Sequence, residues 1–241
     1  MINNSNINSY CIIPCRKGSR RIPNKNKRFF AGKRMFEIAY KNALDSKLFD
    51  DVYISTNDHE IYNICIEKNI KTYSRSENNS TENATTLSAV LETINWFIQD
   101  KKLQIDSYDS IIICCLYPCT PFLKPVYLSD SYKLLLKNKE RFVYPVSRYN
   151  HPIDRSMIKS NGNIMYFKDP SNVNKRTQDL PSYYYDTGQF YWGFLNTWLN
   201  SKQMHNEAYG FDLTKEILYD IDNEEDFAKA EKIYKALFKI E

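Results

Sequence analysis

Positive charge is concentrated in one early stretch of the chain, and its residue types suit phosphate binding. Nine lysines and arginines lie between Arg16 and Arg34, with no aspartate or glutamate among them. Gly18 allows the backbone to approach a ligand closely, and Ser19 adds a hydroxyl donor. An apolar run over residues 11–14 leads into this loop, which predicts an anion site at the carboxyl end of a buried strand. A solvated basic patch or a nucleic-acid contact fits the same charge pattern.

A pair of carboxylates forms the second candidate site. Asp220 and Asp222 flank Ile221 at the end of a strand predicted over residues 216–220, and strand alternation places both carboxylates on one face. Such a pair, with room for water and substrate phosphate, is a usual magnesium site. Asp222 followed by Glu225 also fits the start of a capped helix. The sequence leaves both roles open.

The third candidate lies in an irregular segment, residues 176–189. Its sequence, RTQDLPSYYYDTGQ, combines an arginine, two amides, carboxylates and three tyrosines. Arginine forks onto carboxylates and amides pair with hydroxyls, so the segment suits a polyhydroxylated, carboxylated ligand. A tyrosine-rich protein interface agrees equally well with this composition.

Motifs of several other site types do not occur in the sequence. GxxxxGK[ST] and GxGxxG are both missing, which excludes the two commonest phosphate loops. GxSxG and HExxH are missing too, and the three histidines are scattered. Cys15 and Cys119 each lie where a predicted strand meets a loop, and we interpret them as small residues that fit there instead of as catalytic thiols.

The composition places these candidates in a globular protein of moderate charge. The chain has 241 residues, 42% hydrophobic and 15% aromatic, and its net charge of +4 indicates a local anion site instead of a general nucleic-acid surface. Residues 1–10 carry no apolar segment, so we expect no signal peptide, and no run reaches the length of a membrane span. The six cysteines contain no CxxC pair and are expected to be buried free thiols. We therefore expect a cytoplasmic protein with no membrane or nucleic-acid partner.

Hydrophobic periodicity predicts that strands and helices alternate along the chain. Four strand–helix pairs in succession imply right-handed crossovers, and hence an α/β, Rossmann-like fold with a mainly parallel sheet covered by helices. We expect residues 8–147 and 188–241 to form one α/β domain, and residues 148–187 to protrude as hairpins that pack on another chain. The predicted strands cover residues 10–14, 51–56, 71–74, 110–117, 141–147, 189–195 and 216–220, and the predicted helices cover 34–48, a stretch from 58, 85–99, 124–138 and 224–238.

With these residues in place, the sequence resembles the CMP-sialic acid synthetase family. The loop IIPCRKGSRRIPNKN is similar to the family signature P-A-R-x-G-S-K-x-x-P-x-K-N, with Arg20 in the place of its lysine, whereas Cys15 and Lys17 depart from it. Three segments, YPCTPF, HPIDRS and NKRTQDLPSYYYDTGQFYWG, are similar to the pseudaminic acid cytidylyltransferase branch. The other segments that resemble the family are STND (55–58), Arg75 with Thr85-Thr86, LYPCTP (116–121) and DID (220–222).

The resemblance implies an enzyme that couples CTP to a nonulosonic acid, giving the CMP-sugar and diphosphate on a nucleotide-diphospho-sugar transferase fold. It implies that Lys25 and Arg16 are catalytic, and that Asp220 and Asp222 bind Mg²⁺. The implied nucleotide-binding residues are Arg16, Gly18, Ser19, Arg20, Lys25, Asn26, Arg75 and Thr86. The implied sugar-binding residues are Tyr117, Arg176, Gln178 and Gln189.

The resemblance also implies a homodimer in which residues 148–187 contribute to the partner's site, and it leaves open whether Arg176 acts in cis or in trans. Pseudaminic acid is the implied acceptor. Legionaminic and N-acetylneuraminic acids stay open, because Tyr117, which replaces a glutamine of the sialic acid enzymes, does not fix stereochemistry. An alternative from another class is a non-catalytic nucleotide- or nucleic-acid-binding module that uses the basic loop alone.

Overall fold

The computed structural model describes residues 7–81 and 83–240, and over these residues the chain forms six α-helices and twelve β-strands. Residues 1–6, which belong to the polar start for which no signal peptide is expected, lie outside the described residues. The strands are β1 (Asn8–Cys15), β2 (Phe29–Phe30), β3 (Lys33–Arg34), β4 (Asp51–Thr56), β5 (Thr72–Ser74), β6 (Ile111–Leu116), β7 (Val143–Arg148), β8 (Met157–Lys159), β9 (Met165–Phe167), β10 (Tyr184–Asp186), β11 (Phe190–Phe194) and β12 (Tyr209–Asp212). The helices are α1 (Met35–Ser46), α2 (His59–Glu67), α3 (Thr86–Lys101), α4 (Pro125–Lys137), α5 (Leu195–Asn200) and α6 (Glu224–Phe238).

The central sheet has the order β10-β7-β11-β6-β1-β4-β5, and β12 adds to β7. The strands β5, β4, β1 and β6 pair in parallel, as expected of strands joined by helical crossovers. The strand β11 runs antiparallel between β6 and β7, and β12 is parallel to β7. All six residues of β6 are buried, which confirms that this most apolar strand is central. The predicted Rossmann-like, mainly parallel fold is therefore confirmed.

Helices cover both faces of this sheet. On one face, α1, α2 and α4 bury Phe36, Ile61 and Leu128 against the odd-numbered side chains of β1. On the other face, α3 and α5 bury Ile94 and Trp198 against the even-numbered ones. None of the helices in the described ranges combines the length and the apolar character that a membrane crossing requires.

The last predicted strand is wrong. Residues 216–220 form no strand, and the last strand is β12, which pairs with β7. The Oδ1 of Asp212 accepts a hydrogen bond from the backbone N of Thr214 at 2.7 Å, which turns the chain out of the sheet before residue 216. The carboxylate of Glu216 then bonds to Tyr127 on α4 and to Lys124, the residue before this helix.

Residues 148–187 contain the predicted hairpin. The strands β8 and β9 pair antiparallel, and Met157, Ile158, Met165 and Tyr166 along them are each at least half exposed. At its end this segment returns to the main sheet, because β10 pairs with β7. The domain boundaries and the partner chain remain predictions.

Candidate functional site

A cavity of about 540 Å³ lies beyond the carboxyl ends of β1, β5 and β6. The basic loop, defined here as residues 16–28, forms one wall, and the carboxylate segment, residues 220–222, lies beside it. The start of α3 and the turn after β10 complete the cavity. Its lining residues are Pro14, Arg16, Ser19, Arg21, Lys25, Asn26, Arg75, Asn79, Thr81, Ala84, Thr85, Thr86, Ala89, Tyr117, Pro118, Cys119, Asp186, Thr187, Gly188, Asp220 and Asp222.

Hydrogen bonds with two asparagine side chains fix the backbone at the start of the basic loop. Gly18 has φ +79, a left-handed conformation that glycine adopts readily. The backbone N of Lys17 donates to Oδ1 of Asn57 at 2.8 Å, and Nδ2 of Asn26 donates to the carbonyl of Arg16 at 2.9 Å. These bonds leave the side chains of Arg16 and Ser19 on the cavity wall, whereas that of Lys17 is not among the lining residues.

Lys25 connects the basic loop to the carboxylate segment. Its Nζ donates to the backbone carbonyl of Ile221, which lies between the two aspartates. Arg21 adds an ion pair with Asp222, with 2.5 Å between Nη1 and Oδ2. The sequence analysis gives Arg21 no role in the site, although Arg21 is one of the nine cations by which the basic loop is recognised.

The carboxylate pair reaches the cavity from irregular backbone, not from a strand. The alternative capping role of Asp222 is wrong, because Asn223 is the N-cap of α6 and its Oδ1 accepts from the backbone N of Asp226 at 2.9 Å. Asp220 and Asp222 both line the cavity. Two carboxylates beside an open cavity fit Mg²⁺, which is usually held by one or two carboxylates and takes its remaining ligands from water and substrate phosphate.

The opposite wall joins the start of α3 to the end of β6. Arg75 is only 5% exposed, its Nε donates to Oγ of Ser80 at 3.1 Å, and burial lowers the pKa of its guanidinium. Oγ1 of Thr86 and the hydroxyl of Tyr117 are hydrogen-bonded at 2.7 Å. Burial raises the pKa of Tyr117 to about 12, so its hydroxyl stays protonated at neutral pH. This wall presents neutral hydroxyls and one buried cation.

A smaller cavity of about 150 Å³ adjoins the first and shares Cys119, Asp186, Thr187, Gly188 and Asp220 with it. Gln189 lines this second cavity, and its carbonyl accepts from the backbone N of Tyr117 at 2.8 Å. The two cavities therefore meet at the turn after β10 and at Asp220 of the carboxylate segment.

The cysteines are free thiols, and five of the six are buried, as expected. Cys119 lines the cavity, where its Sγ donates to Oδ1 of Asn26 at 3.3 Å. Burial raises the pKa of this thiol to about 12, while Lys25 acts in the opposite direction. At neutral pH the group is a thiol, which agrees with the interpretation of Cys119 as a small fitting residue.

The structure brings most of the predicted site residues together, but not all. Arg16, Ser19, Lys25, Asn26, Arg75, Thr86, Tyr117, Asp220 and Asp222 line the first cavity, and Gln189 lines the second. Gly18 shapes the loop without lining either cavity, and Arg20 also lies outside both lining sets. Arg176 and Gln178 are exposed on the protruding segment and line neither cavity of this chain.

Sequence reasoning missed several lining residues, notably Thr85, Asp186 and Gly188. Asp186 and Gly188 lie in the segment that was singled out for its amides and arginine. The dipeptide Thr85-Thr86 is part of the family resemblance, but the resemblance implies a nucleotide contact only for Thr86. Thr85 precedes α3, and Asp186 and Gly188 lie at the turn after β10, so only the tertiary structure shows that they meet the basic loop at one cavity.

Comparison with known proteins agrees with this geometry. The model of a family described as cytidylyltransferase matches residues 10–240. A pseudaminic acid cytidylyltransferase of Campylobacter jejuni is 33% identical over 93% of this chain and 95% of that protein. An N-acylneuraminate cytidylyltransferase of Streptococcus agalactiae is 29% identical, over 90% of this chain and 51% of that protein.

A solved CMP:2-keto-3-deoxy-manno-octonic acid synthetase complexed with CTP superposes with a TM-score of 0.66, covering 96% of this chain and 99% of that one. Its sequence identity of 16% limits this likeness to the fold. The family match, in contrast, extends from β1 to the end of α6. The chain therefore belongs to the cytidylyltransferase family.

Proposed function

We propose that the protein transfers CMP from CTP to pseudaminic acid, releasing diphosphate. The observation that carries this proposal is a single cavity that collects the cations of the basic loop, a carboxylate pair and a hydroxyl-lined wall. The Campylobacter jejuni relative, similar over nearly its whole length, supports the choice of acceptor.

In the proposed reaction, the anomeric hydroxyl of the sugar attacks the α-phosphorus of CTP and the bond to the diphosphate breaks. The hydroxyl gives its proton to solvent water as the bond to phosphorus forms. Arg16, Ser19 and Lys25 line one wall and would hold the phosphate oxygens as charge moves onto the leaving diphosphate. Catalysis of this kind depends on positioning and on fixed positive charge.

The opposite wall would bind the nucleoside. Thr86 and the buried Arg75 would offer hydroxyl and guanidinium donors to the single carbonyl group of cytosine and to ribose. Asn26 is committed to the loop backbone through its Nδ2, so we assign it a role in shaping the loop beside any contact with the base.

Asp220 and Asp222 would hold Mg²⁺ beside the phosphates. Bound there, the ion would neutralise phosphate charge and polarise a phosphoryl oxygen. Arg21 would have to share or release Asp222, which its 68% exposed side chain permits at small cost.

The acceptor would occupy the second cavity, near Tyr117 and Gln189. Arg176 and Gln178 lie away from the cavities of their own chain, so we propose that they serve the site of a second copy in a homodimer. The exposed apolar side chains of β8 and β9 supply a surface for such an assembly.

The test is diphosphate release by the purified protein with CTP, MgCl₂ and one acid at a time, with the CMP-sugar identified by mass. Pseudaminic acid should give the highest kcat/KM, and replacing CTP by ATP should abolish release. The Streptococcus agalactiae relative favours N-acetylneuraminic acid as the second candidate. A higher kcat/KM with that acid or with legionaminic acid would reassign the acceptor. Mg²⁺-independent, steeply salt-dependent nucleic-acid binding without turnover would indicate a binding module instead.

A further inference from the structure

We infer that Asp186 is a positioning residue that fixes the turn between the two cavities, residues 186–189. It acts through Gly188 and Tyr191 and determines how the acceptor is held. This inference rests on the proposed function for the identity of the acceptor, but the contacts that carry it are independent of that function.

The carboxylate of Asp186 receives three contacts from the surrounding structure. Its Oδ1 accepts from the backbone N of Gly188 at 2.8 Å, which closes the turn on itself. Its Oδ2 accepts from the hydroxyl of Tyr191 at 2.5 Å and lies 2.8 Å from Nε2 of His205. Gly188 has φ +62, a left-handed conformation that glycine adopts readily and in which its backbone N reaches the carboxylate of Asp186.

Tyr191 connects Asp186 to the hydrophobic core. It is only 2% exposed, and its ring packs against Tyr117 with 5.5 Å between the ring centroids. Tyr117 bonds to Thr86 at the first turn of α3, and its backbone N bonds to the carbonyl of Gln189. The turn is therefore tied at both ends to Tyr117, which lines the first cavity.

Loss of the Asp186 carboxylate should release the turn without dismantling the nucleotide wall. Among the described residues, the carboxylate of Asp186 accepts hydrogen bonds from no part of the basic loop, and from neither Arg75 nor the carboxylate segment. Misplacing a bound reactant by about 1 Å can cost 100-fold in rate, so a loosened turn should weaken use of the acceptor before it weakens CTP binding.

The experiment compares Asp186→Ala and Asp186→Asn with Asp212→Ala. Asp212 is a matched control, because its Oδ1 also holds a turn at a strand end, at 2.7 Å from the backbone N of Thr214, yet it lines neither cavity. We expect Asp186→Ala to raise the KM for the acceptor at least tenfold while the Kd for CTP, measured by calorimetry with MgCl₂, changes less than twofold. Asp186→Asn keeps an acceptor for Gly188 and should give an intermediate KM. Asp212→Ala should lower Tm and leave both constants unchanged.

Hydrogen exchange of the peptide covering residues 186–190 provides a readout that needs no turnover. Asp186→Ala should speed its exchange at least tenfold, and Asp212→Ala should not. Unchanged exchange would overturn the inference, as would a fall in kcat at constant acceptor KM with a loss of Tm equal to that of Asp212→Ala. If the wild-type protein turned over none of the acids, the proposed function would fail while the exchange result still decided the role of Asp186. If Asp186→Ala did not fold, Asp186→Asn would decide the same question.

Discussion

Replacing Lys25 by methionine removes one positive charge from the cavity and keeps most of the apolar length of the side chain. The bond from Nζ to the carbonyl of Ile221 is lost with that charge. A hydrogen bond to a charged group contributes about 1.5–3 kcal/mol when buried, and Lys25 is half-buried, so we expect a loss of about 1–2 kcal/mol. In a chain of this length that lowers Tm by about 2–8 °C.

The effect on turnover should be much larger. Removing one preorganised donor from developing negative charge typically lowers kcat by about 100- to 1000-fold, equivalent to about 2.7–4 kcal/mol. The assay is diphosphate release at saturating CTP and acceptor, with Tm measured by circular dichroism on the same samples. Lys17→Met is the matched control, because Lys17 is exposed in the same loop and lines neither cavity. A Lys25→Met kcat within tenfold of wild type, or an equal loss in Lys17→Met, would refute the assignment.

Three further predictions concern the metal, the dimer and the thiols. Asp222→Asn should lower kcat by about 100-fold and raise the MgCl₂ concentration that gives half-maximal rate. Its Tm should change little, because the exposed ion pair between Asp222 and Arg21 contributes at most about 1 kcal/mol. An unchanged MgCl₂ titration would contradict the metal role. Mixing inactive Lys25→Met and Arg176→Ala chains in equal amounts should restore about a quarter of wild-type turnover. After subunit exchange half of the dimers contain one chain of each kind, and each such dimer has one intact site out of two. No recovery after subunit exchange would place Arg176 in cis. Burial raises the pKa of Cys65 from 9.0 to about 11. The protonated thiol therefore contributes up to about 3 kcal/mol to the free energy of unfolding, complete below pH 9 and lost as the pH rises through 11. Urea unfolding at pH 8 and pH 10.5 should show a smaller loss of stability in Cys65→Ala than in the wild type, and equal losses would refute this.

Elements with strong local signals were predictable from the sequence almost to the residue. The strand β4 is a β-branched run closed by Asn57 and Asp58, and Asp58 caps α2 through hydrogen bonds from the backbone N of Glu60 and Ile61. The amphipathic pattern of α6 predicted its range, Glu224–Phe238, correctly. These elements need little information from the rest of the chain.

The strand β12 could not be found in the same way. Its sequence, YGFD, is short, contains a glycine and is mostly exposed, so it carries no strand pattern. It is a strand because β7, far upstream in the chain, pairs with it, and because Gly210 allows close approach, since a Cβ there would lie 2.8 Å from Cγ2 of Val146. The short apolar run over residues 217–219 was misleading, because it pairs with no strand and Ile217 is 50% exposed.

The candidate site was predictable as a set of residue types, but its assembly was not. Charge and glycine identified the basic loop, and spacing identified the two aspartates. The capping alternative failed by one residue: Asn223 caps α6, and this shift leaves the carboxylate of Asp222 for the cavity. No local pattern distinguishes an N-cap at residue 222 from one at 223, because Asp and Asn are both favoured there.

Apolar packing, more than charge, joins the two halves of the site. Ile22 in the basic loop is fully buried and Ile221 in the carboxylate segment is 2% exposed, and both lie in one cluster with Phe30 and Phe227. Burying each isoleucine contributes about 1.5–3 kcal/mol, whereas the exposed pair between Arg21 and Asp222 contributes about 1 kcal/mol at most. The charges facing the cavity therefore contribute less than this packing to holding its walls together. Because of this division, substitution of a cavity charge should alter turnover far more than folding, while Ile22→Ala should do the reverse.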